Sequence, residues 1–340
     1  MDQPDNHIIR TVDLYVGYRK RRSDFSLLEG ISIDIHKGQL VAVMGRNGTG
    51  KSTLLRTICG LQRPLSGSIM IQDVPISSLS LSLKSRMVSF VSTEPAHVSH
   101  MRITDLVALG RTPHTGWFGK LSSADRIIIS DAIAATGLTE KQDAFIDEIS
   151  DGERQRAMIA RALSQDTEII FLDEPTAFLD VINRYDIFHL LHKLTREKDK
   201  TIIFATHDLQ LALSEADRIL LLDNKNLVHG SPEDLLLSDE LMVLFNGEHL
   251  EFDKENASLA LKKELTDEIN IEGADNQALL FTIKALERLG FKVSRHSGIL
   301  PSVAVKENKE GYSWVLQKKS GAIELYSIYD LSLHLRNFSN

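Results

Sequence analysis

A nine-residue stretch decides the fold of this chain: Gly45-Arg46-Asn47-Gly48-Thr49-Gly50-Lys51-Ser52-Thr53. It matches the phosphate-binding pattern G-x-x-x-x-G-K-[ST] in full. The apolar run at 39–44 is typical of a buried parallel strand, and apolar residues at helical spacing follow over 51–61. Such a strand, turn and helix N-terminus form an anion site, because backbone N–H groups converge on phosphates. The pattern therefore predicts nucleotide binding by all nine residues, with Lys51 on the β- and γ-phosphates and the Ser52 hydroxyl on Mg²⁺.

Composition limits the classes of protein that fit. At 340 residues the chain can hold one large domain and a smaller one. The net charge of -8 argues against a general nucleic-acid binder. The single cysteine, Cys59, excludes an internal disulfide and fits a reducing compartment. No apolar run approaches the ~20 residues of a membrane span, so we expect a soluble cytoplasmic protein.

Hydrophobic patterning predicts an α/β fold with a helical insertion. Strands are expected at 8–15, 31–35, 68–71, 87–91, 168–172, 201–205 and 218–222. The strand at 31–35 alternates cleanly, which indicates an antiparallel strand with one covered face. The period is helical from 104 to 162, so a helical region is expected between two groups of strands.

Two carboxylates and one aromatic side chain are candidates for roles near the nucleotide. Asp173 and Glu174 directly follow the apolar run at 168–172, and open α/β sheets bind ligands at this carboxyl edge. Asp173 suits support of Mg²⁺ and Glu174 suits polarising an attacking water; the alternative is that two acids simply begin a loop. Tyr18 could stack on a nucleotide base, although ordinary packing is the common role of such an aromatic.

A second helix start lies about twenty residues before these carboxylates. Ser150 and Glu153 have the spacing of a capping box, which by itself explains both residues. Together with the phosphate loop, however, they belong to an ordered series of motifs: Ser150-Asp151-Gly152-Glu153, Leu172-Asp173-Glu174-Pro175, Leu179-Asp180 and Ala205-Thr206-His207-Asp208. Over 7–247 the chain resembles the nucleotide-binding subunit of ABC transporters, with Asp151 where glycine is more usual.

This resemblance implies a fold and an assembly. The fold is that of a P-loop NTPase: a mixed sheet core, an antiparallel β subdomain and a helical subdomain. Two copies form a homodimer, head to tail, on integral membrane permease subunits, with a substrate-binding protein outside. The subunit is then peripheral on the cytoplasmic face of the inner (plasma) membrane, uses ATP and Mg²⁺, and binds no nucleic acid.

The resemblance also implies roles for individual residues. ATP lies between the phosphate loop of one copy and the signature segment of the other, which carries Ser150, Gly152 and Glu153. His207 is the switch histidine that holds the γ-phosphate, and Glu174 is the general base. The resemblance further places Asp180 in the D-loop and Tyr18 on the base.

The chain departs from the family at one loop. The family usually has a glutamine after an apolar strand, and this chain has Phe90-Val91-Ser92-Thr93-Glu94-Pro95. Thr93 aligns with the glutamine, and Glu94 is next to it. Our hypothesis is that Glu94 supplies the missing Mg²⁺ ligand, since carboxylates bind Mg²⁺ well; whether Thr93 or Glu94 replaces the glutamine stays open.

The residues at 103–120 resemble ATPases that import iron-siderophores, haem and cobalamin, so import of a metal chelate is the expected function. One alternative is a soluble ABC ATPase acting in translation or DNA maintenance. Such proteins usually have two fused ATPase halves or a coiled-coil insertion, whereas this chain has one phosphate loop and no sustained heptads. Another alternative, a nucleotide kinase, gives no reason for the signature segment and the switch histidine.

Beyond residue 247 the composition changes. The sequence predicts an ATPase domain at 1–247, an acidic linker at 248–275 that is partly helical at 257–265, and a small α/β domain at 276–340. In this last domain we expect an amphipathic helix at 276–291, strands at 303–305, 312–317 and 323–328, and a helix at 331–338. No motif indicates its role: regulation, support of the dimer and a family-specific addition all remain open.

Overall fold

The structure is a computed structural model that describes residues 7–19, 23–93, 100–116, 119–238, 240–241, 250–253, 258–295, 300–309 and 311–336. The chain divides into two compact units, which are Met1–Asn246 with Phe252–Ser258, and Gly247–Glu251 with Leu259–Asn340. Within the described ranges, no helix combines the length and apolar character needed to cross a membrane.

The first unit contains two large sheets. A four-stranded antiparallel sheet has the order β2-β1-β4-β5, and a six-stranded sheet has the order β10-β9-β3-β8-β7-β6. All neighbours in the larger sheet are parallel except β10 and β9. The strands are β1 (His7–Tyr18), β2 (Phe25–His36), β3 (Leu40–Gly45), β4 (Ser66–Ile71), β5 (Val74–Pro75), β6 (Val88–Val91), β7 (Ile169–Asp173), β8 (Thr201–Ala205), β9 (Arg218–Asp223) and β10 (Asn226–Gly230).

Eight described α-helices accompany these sheets. They are α1 (Lys51–Ile58), α2 (Leu81–Met87), α3 (Ile103–Ala108), α4 (Ser123–Ala135), α5 (Asp151–Ser164), α6 (Val181–Lys198), α7 (Leu209–Glu215) and α8 (Pro232–Leu237). Helices α3, α4 and α5 pack on one another, which confirms the helical region predicted between two groups of strands. The antiparallel pairing of β2 is likewise confirmed.

The core of the first unit explains the continuous apolar run in β3. Leu40, Ala42 and Met44 belong to one buried cluster, and Val41 and Val43 belong to another. Alternate side chains therefore enter the two cores on opposite faces of the same strand, as in parallel sheets that are covered on both sides. The phosphate loop begins at Gly45, where this buried strand ends.

The second unit is a five-stranded sheet with helices. The order β14-β13-β15-β16-β17 is formed by β13 (Asp267–Glu272), β14 (Phe291–Ser294), β15 (Ser302–Asn308), β16 (Gly311–Lys318) and β17 (Gly321–Leu325). The predicted helices are present as α9 (Gln277–Arg288) and α10 (Ile328–Arg336). The apolar side chains of α9, such as Leu279 and Leu286, pack in the core of this unit.

Two expectations for residues 248–275 differ from the structure. The predicted helix at 257–265 is wrong, because Ser258–Leu261 is strand β12, which pairs with β11 (Leu250–Asp253). Part of the expected solvated linker is also ordered, since β13 lies between β14 and β15 in the sheet. Ile269 and Ile271 of β13 are buried, and this burial accounts for the strand.

Candidate functional site

Four neighbouring parallel strands bring the predicted site together at their carboxyl ends. The phosphate loop (residues 45–53) follows β3, Asp173 ends β7, His207 follows β8 and Thr93 follows β6. The order β3-β8-β7-β6 makes these ends adjacent. Residues that are more than a hundred positions apart in sequence thus meet at one edge, where open α/β sheets bind ligands.

The phosphate loop turns closely against the end of β9. A Cβ atom on Gly45, whose φ is +152°, would lie 2.8 Å from the Leu222 carbonyl oxygen, so only glycine fits without a shift. Helix α1 then begins, and its Leu54 amide donates to the Gly50 carbonyl at 2.7 Å. The earlier amides of this first turn have no acceptor within the helix and are therefore available to an anion.

Lys51 is held beside this loop. Its side chain is 6% exposed, and its Nζ donates to the Gly45 carbonyl at 3.0 Å. The same Nζ lies 3.9 Å from Oε1 of Glu174. It also lies 3.5 Å from the Arg46 carbonyl. A buried ammonium group held by backbone carbonyls of the loop can turn to phosphate oxygens, because a lysine ammonium carries three donors.

Ser52 and Asp173 offer oxygen ligands for a metal ion. The Ser52 hydroxyl donates to Oδ1 of Asp173 at 2.7 Å, and Asp173 is only 2% exposed. In the part of the chain that is described, no group of three or more His, Cys, Asp or Glu side chains could hold a metal. One hydroxyl and one carboxylate nevertheless fit Mg²⁺, which usually takes its other oxygens from phosphates and water. Glu94, the third predicted ligand, lies outside the described residues.

Glu174 lies between two basic side chains. Its Oε1 faces Lys51, and its Oε2 is 3.5 Å from Nδ1 of His207. The Glu174 side chain is 24% exposed and that of His207 is 62% exposed. The structure therefore brings the predicted base and the predicted switch histidine together beside Lys51.

Tyr18 also lies at the phosphate loop. It ends β1, and its hydroxyl is 2.9 Å from Oγ1 of Thr53 in α1. The residue is 48% exposed. This placement is compatible with base stacking, which stays a prediction.

The signature segment (residues 150–153) is built from local contacts. The Ser150 hydroxyl accepts from the Glu153 amide at 3.3 Å, and the Glu153 carboxylate accepts from the Ser150 amide at 3.1 Å. This is the predicted capping box. Lys141 donates to Glu153 at 2.6 Å, and this bond lowers the pKa of the Glu153 carboxyl. No described hydrogen bond or ion pair of these residues reaches the phosphate loop.

The signature segment packs on the start of α6. A Cβ atom on Gly152 would lie 2.4 Å from Oδ1 of Asn183, so α5 and α6 approach closely at this glycine. Asp180 is the N-cap of α6 and accepts from the Asn183 amide at 2.8 Å and from its side-chain amide at 3.0 Å. Asn183 thus lies between Asp180, the predicted D-loop residue, and Gly152 of the signature segment within one chain.

Comparison with known proteins identifies the family. Residues 28–177 match the family described as ABC transporter, and residues 266–336 match the iron ABC transporter C-terminal domain. An uncharacterised ABC transporter ATP-binding protein of Methanocaldococcus jannaschii is 36% identical, over 75% of this chain and 90% of the relative. The chain belongs to the ATP-binding subunits of ABC transporters. As a member of this family it binds and hydrolyses ATP.

Two further proteins are similar to this ABC ATPase. The petrobactin import ATP-binding protein of Bacillus anthracis is 35% identical, over 64% of this chain and 79% of its own length. A dimeric bacterial ABC transporter cassette superposes with a TM-score of 0.59 at 25% identity, covering 66% of this chain and 98% of the cassette. The predicted family and the ABC ATPase fold are confirmed.

The structure of this ABC ATPase also shows contacts that the sequence did not predict. Thr93 donates its hydroxyl to the Asp173 carbonyl at 2.8 Å. In the helical region, Arg111 is 5% exposed and donates to Asp125 at 2.8 Å and to the Ser164 carbonyl at 2.9 Å. These residues carry no local pattern that indicates such partners. For the C-terminal region, the family match supplies the identity that no motif had indicated.

Proposed function

We propose that this protein powers the import of a metal chelate of the iron-siderophore, haem or cobalamin type. The observation that carries the proposal is the pairing of an ABC ATPase with residues 266–336, which match the iron ABC transporter C-terminal domain. The stretch at 103–120 supports the same cargo class by its resemblance, and a relative is a petrobactin importer subunit.

The working assembly in this proposal is a head-to-tail homodimer on integral membrane permease subunits. The separate placement of the signature segment supports it, because Ser150, Gly152 and Glu153 contact their own helix and its neighbours and can meet a nucleotide held by a second copy. The dimeric solved cassette supports it as well. A substrate-binding protein outside would deliver the chelate, and the ATPase would lie on the cytoplasmic face of the inner (plasma) membrane.

The phosphate loop and its neighbours would hold the nucleotide. Backbone amides of residues 45–53 bind the phosphates, Lys51 turns from the Gly45 carbonyl to the β- and γ-phosphates, and Tyr18 stacks on the base. Ser52 and Asp173 would hold Mg²⁺, with Glu94 as a further ligand predicted from the sequence. When bound, the ion supplies neutralisation of charge on the phosphate oxygens.

Hydrolysis would depend on the groups around Glu174. The carboxylate orients an attacking water and accepts its proton, and His207 holds the γ-phosphate beside it. The partner copy would add Ser150 and Gly152 from a helix N-terminus. Asp180 would act through the start of α6, which it caps.

The experiment is a Glu174→Gln variant, examined for ATPase turnover and for uptake of labelled chelates by cells that depend on this protein. Turnover should fall on the order of 10² or more, because a group acting on the attacking water is lost, while ATP binding is retained. Uptake of one of the three chelate classes should stop in the same cells.

Glu168→Gln is the matched control, since Glu168 precedes the opposite end of β7 and its side chain accepts from Gln72 at 2.8 Å. This variant should hydrolyse and transport normally. Near-normal turnover of Glu174→Gln would remove Glu174 from the role of base. Unchanged uptake of ferric siderophore, haem and cobalamin would overturn the cargo.

A further inference from the structure

Thr93 follows the end of β6 in the six-stranded sheet. Strand β6 is an edge strand, and its last paired residue, Val91, lies opposite Leu172 of β7. Two residues later the Thr93 hydroxyl donates to the Asp173 carbonyl at 2.8 Å. A side chain thus binds β7 just beyond the point where the backbone pairing with β6 ends.

Asp173 is held at both of its acceptor groups. Its carboxylate accepts from Ser52 at 2.7 Å, and its backbone carbonyl accepts from Thr93. The peptide plane that contains the Asp173 carbonyl also contains the Glu174 amide. A contact that fixes this oxygen therefore fixes the direction in which residue 174 leaves the strand.

Glu174 needs such support because of its backbone. Its φ is +49°, in the left-handed region that residues with a Cβ atom rarely adopt. Such conformations persist where the surrounding structure determines them. From this position the carboxylate reaches towards Lys51 at 3.9 Å and His207 at 3.5 Å.

We propose that Thr93 is a positioning residue for Glu174, acting through the Asp173 carbonyl. The inference rests on the proposed role of Glu174 as the base. At the place where the family resemblance leads one to expect a glutamine, this chain has a shorter side chain that holds the backbone of the adjacent strand. Thr93 therefore orients the carboxylate of Glu174 through the main chain.

The test compares Thr93→Val with Thr93→Ser in the full-length protein. Valine keeps the shape and removes the hydroxyl, whereas serine keeps the hydroxyl. Thr93→Val should lower kcat about tenfold, which corresponds to about 1.4 kcal/mol. The reason is that a Glu174 carboxylate in the wrong orientation accepts the proton of the attacking water less effectively. The KM for ATP should change less than about twofold, since the phosphate loop is intact, and Thr93→Ser should stay within about threefold of wild-type kcat.

Thr104→Val is the matched control, because the Thr104 hydroxyl also donates to a backbone carbonyl, that of Gln142 at 2.7 Å, in the helical region. Its kcat should equal that of the wild type. If Thr93→Val does not fold, Thr93→Ala provides the same loss of the hydroxyl. An equal kcat for the wild type and the hydroxyl-free variants would overturn the inference, as would a loss that serine does not restore.

A double variant separates this inference from the proposed function. If Thr93 acts through Glu174, then Thr93→Val should lower kcat less than about twofold in a Glu174→Gln background. A full tenfold loss in that background would show that Thr93 acts elsewhere. Near-normal turnover of Glu174→Gln alone would instead contradict the proposed base itself, whatever Thr93 does.

Discussion

Two regions of the molecule hold their candidate functional residues in different ways. One is the phosphate-loop edge, at the carboxyl ends of β3, β8, β7 and β6, and the other is the signature segment. At the edge, Ser52 contacts Asp173 across 121 positions of sequence, and Thr93 contacts the same residue across 80. In the signature segment, Ser150 and Glu153 cap each other across three positions, and Lys141 reaches Glu153 across 12. The first arrangement exists only when the sheet is assembled, whereas the second is set largely by one helix start and its neighbours.

The difference shows what each region can do alone. In the proposed mechanism, the phosphate-loop edge of one chain supplies the buried lysine, the hydroxyl and the carboxylates that bind the nucleotide and polarise water. The polar side chains of the signature segment are hydrogen-bonded to nearby residues. The segment also begins a helix, and a helix N-terminus favours an anion without selecting a particular one. In the proposed homodimer the two regions are two halves of a site, which a second copy brings together.

The largest effect on turnover should come from a substitution at the phosphate-loop edge. Lys51→Ala should lower turnover roughly 10²–10³-fold, because the charge that we propose for the phosphates is lost, and it should also weaken ATP binding by the monomer. Lys141→Ala, on the signature side, removes a lysine that contacts Glu153 at 2.6 Å. Fluorescent-nucleotide titration of the two monomeric variants should show the loss for Lys51→Ala only. Equal weakening would mean that both regions bind nucleotide within one chain.

A smaller effect is expected in the signature segment. Gly152→Ala should lower turnover about tenfold while leaving ATP binding by the monomer unchanged. The new Cβ would stand 2.4 Å from Oδ1 and 2.6 Å from Cγ of Asn183, so either the Asn183 side chain must turn or the starts of α5 and α6 must move apart. Steady-state ATPase assays at saturating ATP, beside nucleotide titrations, measure the two quantities.

The double variant Gly152→Ala with Asn183→Gly locates the cause of that loss. Glycine at 183 vacates the space, so turnover should recover above that of Gly152→Ala if the contact with Asn183 is responsible. Asn183→Gly alone gives the reference for the lost cap contact. No recovery, with Asn183→Gly alone close to the wild type, would point to the partner copy's nucleotide as the place where the added methyl group acts.

The same contrast explains which features the sequence predicts. The capping box and the phosphate loop are local patterns, so the spacing of their residues along the chain is enough to identify them. The contact between Thr93 and Asp173, and the pair formed by Arg111 and Asp125, depend on which strands and helices become neighbours. No spacing along the chain encodes these contacts.

The C-terminal region shows a different limit. Ser258–Leu261 is a short apolar stretch, which periodicity alone cannot assign to a helix or a strand; pairing with β11 decides it. For Asp267–Glu272 the number of acids suggested a linker. Its alternation, with Ile269 and Ile271 buried, is the signal that could have identified the strand.

The smallest effect concerns the helical region that carries the signature segment. Hydrogen bonds from Ser122 and then from Arg111 lower the pKa of Asp125 from 3.8 to about 2. Because the folded pKa is below the unfolded one, the carboxylate stabilises the fold above pH 4, and this contribution is lost as the pH falls towards 2.

Thermal unfolding from pH 6 to 2 should therefore show Asp125→Asn less stable than the wild type at pH 6, with a difference in stability that narrows below pH 4. Asp131→Asn, at an exposed position of the same helix, controls for removing a carboxylate from α4. A difference in stability that stays constant down to pH 2 would show that Asp125 supports this region by packing and not by its charge. Helix α5, which carries the signature segment, would then be held without a contact that acid breaks.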